Sequence, residues 1–228
     1  MVAYILLNKI PINTAIGEFI QTKFQISYLQ IFVTIILTIL GAVLIQFLLY
    51  RKRFAMIRKD LHTDELTGLP NKKALDTELK EILTTAKKEG KNLSIILMDI
   101  DDFKKFNTNQ GQNVADEVLK KFGALLKSDS RITDRIYRQH LKGDEFVIIA
   151  GETTLDNAVI AANRKRELIA KTGIQIDNVK DPFVLTVCCG VVELDHKKDD
   201  ENTILVRAHS AMLMAKAIKG KNQTKSLI

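Results

Sequence analysis

Leu93-Ser94-Ile95-Ile96-Leu97-Met98-Asp99-Ile100-Asp101-Asp102-Phe103-Lys104 is a mostly apolar run that ends in acid. A short apolar run of this kind reads as a buried strand. Carboxylates crowded at its end repel one another unless a hard divalent cation, or a phosphate carrying one, neutralises them. A second acidic strand edge follows later, where Tyr137-Arg138 leads through a short polar turn to Gly143-Asp144-Glu145-Phe146 and the apolar run Val147-Ile148-Ile149-Ala150. Two strand ends bearing carboxylates, with glycine at the second, suit a metal-assisted nucleotidyl transfer. Cation ligands face each other, and the backbone is free to approach phosphate.

Helical and strand periodicities extend outward from this pair. Lys72 to Lys88 predicts a helix, with Ala74, Leu75, Leu79, Ile82, Leu83 and Ala86 near helical period. The strand Ser94 to Met98 comes next, then a turn, then a helix predicted from about Val114 to Leu126. A hairpin is expected from Arg135 to Ala150, a helix from Leu155 to Lys171, a strand from Leu185 to Val192 and a last helix from Thr203 to Ile218. Strands and helices alternating around one hairpin predict the α/β class, an α+β sandwich with a mixed, mainly antiparallel central sheet flanked by helices. No internal repeat or low-complexity tract is visible.

The 228 residues carry a formal net charge of +7. Part of the excess sits in Arg51-Lys52-Arg53 and Arg58-Lys59, directly after the uncharged stretch from Tyr28 to Tyr50. That stretch is long enough to cross a bilayer, is closed at both ends by tyrosine as interfacial residues would be, and precedes a basic stop rather than a small-residue cleavage site. It reads as a single retained anchor. Lysine and arginine are sparse before it (Lys9 and Lys23) and dense after it, so the positive-inside bias places the C-terminal domain in the cytoplasm of a single-pass inner (cytoplasmic) membrane protein. The basic cluster then marks a membrane side, and no nucleic-acid partner is expected.

The expected organisation is an extracytoplasmic segment at 1–27, a transmembrane helix at 28–50, a helical linker at 51–63 and one catalytic-sized domain at 64–228. The first segment is too short for a sensor domain. In the linker, Phe54, Ala55, Met56, Ile57 and Leu61 space apolar residues along one side. Cys188 and Cys189 are adjacent in a strand, point to opposite faces and read as small buried apolar residues that do not pair with each other.

The whole pattern resembles the GGDEF domains of diguanylate cyclases. Four blocks in order carry the resemblance: Asp64-Glu65-Leu66-Thr67-Gly68-Leu69-Pro70-Asn71; Asp99 to Lys104 with Asn107, Gly111 and Asp116; Gly143-Asp144-Glu145-Phe146; and Ala211-Met212-Leu213-Met214-Ala215-Lys216 with Gly220-Lys221-Asn222. It implies a nucleotide-cyclase-like fold and a homodimer dependent on Mg²⁺ (or Mn²⁺) that joins two GTP into cyclic di-GMP with release of pyrophosphate. Each domain would bind one GTP, and closing the ring needs two domains face to face.

The resemblance also assigns roles. Asp99, Asp144 and the backbone carbonyl of Ile100 would hold the cation, with Asp144 as proton acceptor and Glu145 assisting. Phe103 and Lys104 would lay backbone amides and an ammonium against the triphosphate, joined by Lys216 and Lys221. Asn107 and Asp116 would read guanine. An aspartate accepts from the guanine N1–H and 2-amino donors, which adenine lacks, so Asp116 favours GTP over ATP. Arg131 and Asp134 match an R-x-x-D motif that binds the cyclic product in many relatives and restrains synthesis. Asp101 and Asp102 read as solvated turn residues.

One departure stands out. Most relatives run Arg-x-Gly-Gly before the acidic pair, whereas this chain runs Arg138-Gln139-His140-Leu141-Lys142-Gly143, a longer turn with Lys142 in place of the first glycine. Two outcomes are open: Lys142 meets phosphate, or it blocks the pocket. The competing functional classes are a non-catalytic receptor or partner-binding module for cyclic di-GMP, and a cyclase with another nucleotide product.

Overall fold

The computed structural model describes residues 28–139, 143–177 and 179–227. The expected extracytoplasmic segment at 1–27 and the divergent turn at His140, Leu141 and Lys142 lie outside the described residues, as do the side chains of 28–29 and 54–60; of the expected linker stripe only Leu61 is described, and it is exposed. The chain divides into two compact units, with the boundary after Met56.

Helix α1 (Tyr28–His62) begins in the first unit. Its segment Gln30–Arg53 has a mean hydropathy of 2.7 and is long and apolar enough to cross a membrane. Large apolar side chains such as Phe32, Leu37, Leu40 and Val43 are exposed on it. The hydroxyls of Thr34 and Thr38 each donate to the carbonyl three residues back, at 2.8 Å. Such back-bonding satisfies a hydroxyl within the helix where the surroundings offer no partner.

In the second unit, α2 (Lys72–Glu89) precedes β1 (Leu93–Ile100), which is followed by α3 (Phe103–Gln110), α4 (Gln112–Ser128), β2 (Asp134–Arg138), β3 (Glu145–Gly151), α5 (Leu155–Thr172), β4 (Val187–Glu193), α6 (Glu201–Lys216) and β5 (Thr224–Leu227). The sheet order is β2-β3-β1-β4-β5, with β1 at the centre. β1 runs antiparallel to both β3 and β4, β2 pairs antiparallel with β3, and only β4–β5 is parallel. The expected mixed, mainly antiparallel sheet between helices is what forms.

Alternation along β1 divides the interior. Ile96, Met98 and Ile100 join Val118, Phe122, Ala158 and Ala162 under α4 and α5, while Leu93, Ile95 and Leu97 join Leu75, Leu79, Ala208 and Met212 under α2 and α6. Each fully buried Leu, Ile or Phe contributes about 1.5–3 kcal/mol relative to exposure. The same period places Asp99 on the α6 side. Cys188 and Cys189 are both free and buried, with thiols pushed up to about 11 and about 12, chiefly by burial.

Two elements escape the sequence pattern. Asp99 is followed not by a turn running to residue 114 but by α3, whose Phe-Lys-Lys-Phe-Asn-Thr-Asn-Gln composition has no apolar stripe and which buries only Phe103. β5 is a short polar edge strand, paired in parallel with β4 from Cys189↔Thr224 to Val192↔Leu227. The helices seat the site through local chemistry. Asn71 caps α2 by accepting from the Ala74 amide at 3.1 Å, and Asp200 and Thr203 form a reciprocal capping box that starts α6. Gly190 lets β4 and α6 touch backbone to backbone, because an added Cβ would overlap the Ala208 carbonyl and the Met212 amide. That contact fixes the helix that ends in Lys216.

Candidate active site

Asp99 sits within β1 rather than at a helix cap, 4% exposed. Its Cα partners are Glu145 on β3 and Cys188 on β4. The Ile100 amide donates to the Asp144 carbonyl at 3.4 Å, extending the ladder one step and setting Asp144 beside the end of β1. Burial pushes the Asp99 carboxyl up to about 6; the Asp144 and Glu145 charges add to this, and Lys216 opposes it. Asp144 is raised for the same leading reason, with Glu145 adding and Lys216 and Arg138 opposing. The carboxylates of the two strand ends therefore feel one another.

Lys216, the last residue of α6, places Nζ 2.6 Å from Asp99 Oδ1. The pair is charge-assisted, and Lys216 is the one cation set against this buried carboxylate among the described residues. A buried carboxylate with further lone pairs is a donor that a hard cation would take. Among the described residues no three His, Cys, Asp or Glu side chains gather into a cage. Mg²⁺ needs none, since it takes one or two carboxylates and fills its shell with water and phosphate oxygens. Asp99, Asp144 and the Ile100 carbonyl fit that pattern of donors.

The signature turn is anchored by an ion pair whose role the sequence did not reveal. Arg138, 2% exposed, donates through Nη1 to both oxygens of Asp64 at 3.1 and 2.9 Å, and through Nε and Nη2 to the Gly143 carbonyl at 3.1 and 3.0 Å. Asp64 is also bonded by the Thr67 amide and hydroxyl at 2.8 and 2.7 Å. Despite burial, these bonds and the Arg138 charge hold the Asp64 carboxyl below the usual range. One guanidinium thus fixes the carbonyl directly before Asp144. In the sequence, Asp64 opens the first of the four blocks and Arg138 opens the divergent turn, with nothing to join them.

The other predicted residues divide into groups. Phe103 starts α3 and stacks on Phe106 with ring centroids 5.8 Å apart, while Lys104 is exposed beside it. The Asp102 side chain makes no capping bond to α3. Asn107 lies in the last turn of α3 and Asp116 in the second turn of α4, on helices that pack together across Gly111. Lys221 is bonded to Asp102 at 2.7 Å.

Asp101 corrects an expectation. It is no solvated turn residue but is 7% exposed and accepts from the Thr186 hydroxyl and the Asn222 amide. Arg131 and Asp134 lie away from the carboxylates. Asp134 pairs with Ala150, which pairs with Ser94, so the motif is roughly 17 Å from Asp99 along β1 at ~3.4 Å per residue. There the Asp134 carboxylate accepts from the Arg131 amide at 3.0 Å, closing a tight turn.

Comparison with known proteins places this geometry. The family described as diguanylate cyclase, GGDEF domain, matches residues 61–223. The chain belongs to the GGDEF family. Diguanylate cyclase DosC of Escherichia coli K12 is 31% identical over 166 residues, covering 73% of this chain and 35% of DosC. Membrane protein SERP0413 of Staphylococcus epidermidis is 31% identical over 161 residues, covering 70% of this chain and 44% of that protein. The chain thus spans less than half the length of these relatives. The coiled coil and GGDEF domain of DgcB from Caulobacter crescentus, solved in complex with c-di-GMP, superposes with a TM-score of 0.75 at 22% identity, over 84% of this chain and 99% of that one. That likeness establishes the GGDEF fold.

Proposed function

We propose that the chain is a diguanylate cyclase that condenses two GTP into cyclic di-GMP, anchored in the inner membrane by the segment at 28–50, with the domain at 64–228 cytoplasmic. The observation that carries this is the buried Asp99 carboxylate beside the half-buried Asp144 at neighbouring strand ends of a GGDEF fold, with the Gly143 carbonyl directly before Asp144 held by Arg138. A bound divalent cation supplies charge stabilisation at the α-phosphate and acidifies the attacking 3′-hydroxyl.

The chain's own residues do the rest. Asp99, Asp144 and the Ile100 carbonyl would hold the cation, and Asp144, whose carboxyl burial lifts above its ordinary value, accepts the hydroxyl proton. Glu145, register partner of Asp99, adds negative charge there. The amides at Phe103 and Lys104, with the Lys104, Lys216 and Lys221 ammonium groups, hold the triphosphate. Asn107 and Asp116 select guanine. Each domain holds one GTP, so ring closure requires two copies of the chain facing each other. Arg131 and Asp134, at the far end of the sheet, bind the product.

The test uses the full chain in detergent with Mg²⁺ and labelled GTP, resolving products by chromatography. Cyclic di-GMP from the wild type, abolished in Asp144→Ala, supports the assignment. Another ring or a linear product assigns a related cyclase. Binding of cyclic di-GMP that is lost in Arg131→Ala, with no turnover by the wild type, assigns a receptor.

A further inference from the structure

Four non-glycine residues among those described have positive φ, and three of them meet at one point: Asp102 (56°), Lys221 (51°) and Asn222 (50°). Left-handed backbone is costly for a residue such as Lys221 and more readily adopted by Asp102 and Asn222, so a cluster of three needs bonds that hold it. The bonds are present. Asp101 donates its amide to the Thr186 carbonyl at 2.8 Å, and its Oδ2 accepts from the Thr186 hydroxyl at 2.7 Å and the Asn222 amide at 3.0 Å. Asp102 accepts from Lys221 Nζ at 2.7 Å. Arg166 on α5 closes the far side, donating to the Asn222 carbonyl and to its Oδ1, both at 3.1 Å. Neighbouring acids at the end of β1 thus grip neighbouring residues of the loop between α6 and β5.

We propose that Asp101, with Asn222 and Arg166, forms a clasp that positions the triphosphate-binding backbone, which makes Asp101 a positioning residue. This rests on the cyclase reading. Asp101 is one residue after the Ile100 carbonyl and two before the Phe103 amide, so anchoring it from the side fixes both at once. It makes this anchor without offering its carboxylate to solvent, where a substrate or cation would compete for it. The second grip, through Lys221, ties the loop after α6 to the start of α3 and so joins two lysine-bearing segments. Holding the phosphate-binding backbone in its bound conformation before substrate arrives removes an ordering cost from binding, in the ground state and the transition state alike.

The test is amide hydrogen exchange on the full chain in detergent, comparing wild type with Asp101→Asn and Arg166→Met. Both variants are expected to speed exchange about tenfold at residues 102–107 and 220–223, two segments far apart in sequence, while β1 and α2 keep their protection. The KM for GTP is expected to rise about tenfold with kcat within about threefold, the signature of lost uniform binding. Unchanged exchange at 102–107 overturns the proposal, and so does a uniform rise across the whole domain, which marks a merely structural role. Should the wild type make no cyclic product while exchange responds at both segments, the clasp stands and the cyclase reading alone fails.

Discussion

Replacing Arg138 with methionine removes a guanidinium that is 1% exposed in its side chain and leaves Asp64, 3% exposed, without its countercharge. Breaking one partner of a buried ion pair costs about 3–5 kcal/mol, because the remaining charge stays desolvated. The Gly143 carbonyl also loses the Nε and Nη2 donors. Methionine restores much of the side-chain volume, and water reaching the Gly143 end offsets part of that second loss. The expected net destabilisation is about 4 kcal/mol, or roughly 8–16 °C in melting temperature for a domain of this size. The assay is thermal unfolding of the full chain in detergent, followed by circular dichroism because the chain has no tryptophan. A double variant, Asp64→Asn with Arg138→Met, removes both charges and is expected to be more stable than Arg138→Met alone. A loss below about 1 kcal/mol in Arg138→Met, or a double variant as unstable as the two single losses added together, would refute the argument.

Stability also depends on pH through Asp99. Its folded value of about 6 lies above the ordinary 3.8, so its contribution to stability is fully present below about pH 4 and lost as pH rises through 6. The loss is about 3 kcal/mol. Denaturant midpoints measured from pH 4 to 7 are expected to show this decline relative to Asp99→Asn, which lacks the group; parallel profiles for the two proteins would count against it. Gly190→Ala places a Cβ against the Ala208 carbonyl and the Met212 amide and 2.9 Å from the Met212 Cα. It is expected to cost about 3 kcal/mol in the same melts through overpacking, and an unchanged melting temperature would show that α6 shifts freely.

How legible the structure was in the sequence depends on the kind of signal each residue emits. β1 was readable because Ile95 and Leu97 alternate with Ile96 and Met98 toward two separate interiors, which makes nearly every position apolar. α2, α4, α5 and α6 announced themselves by period and needed only one or two residues of adjustment at their ends. α3 was silent because one buried phenylalanine suffices to seat a short helix beside the site. β5 was silent because an edge strand with one neighbour needs no apolar face.

At the site, the proximity of Asp99 and Asp144 followed from two acidic strand ends, but the Arg138–Asp64 pair joins residues 74 positions apart. Periodicity does not register such a contact. Asp101 was misread for a related reason: adjacent aspartates in a turn look equally solvated until a partner such as Asn222 arrives from the other end of the chain.

The proposed cyclase depends on Asp99 and Asp144 holding a divalent cation between neighbouring strand ends. Its most direct test is Mn²⁺ titration of the full chain by electron paramagnetic resonance in the presence of a non-hydrolysable GTP analogue, with Asp99→Asn and Asp144→Asn alongside. Each substitution is expected to weaken Mn²⁺ binding about tenfold or more. Binding as tight in both variants as in the wild type would contradict the account.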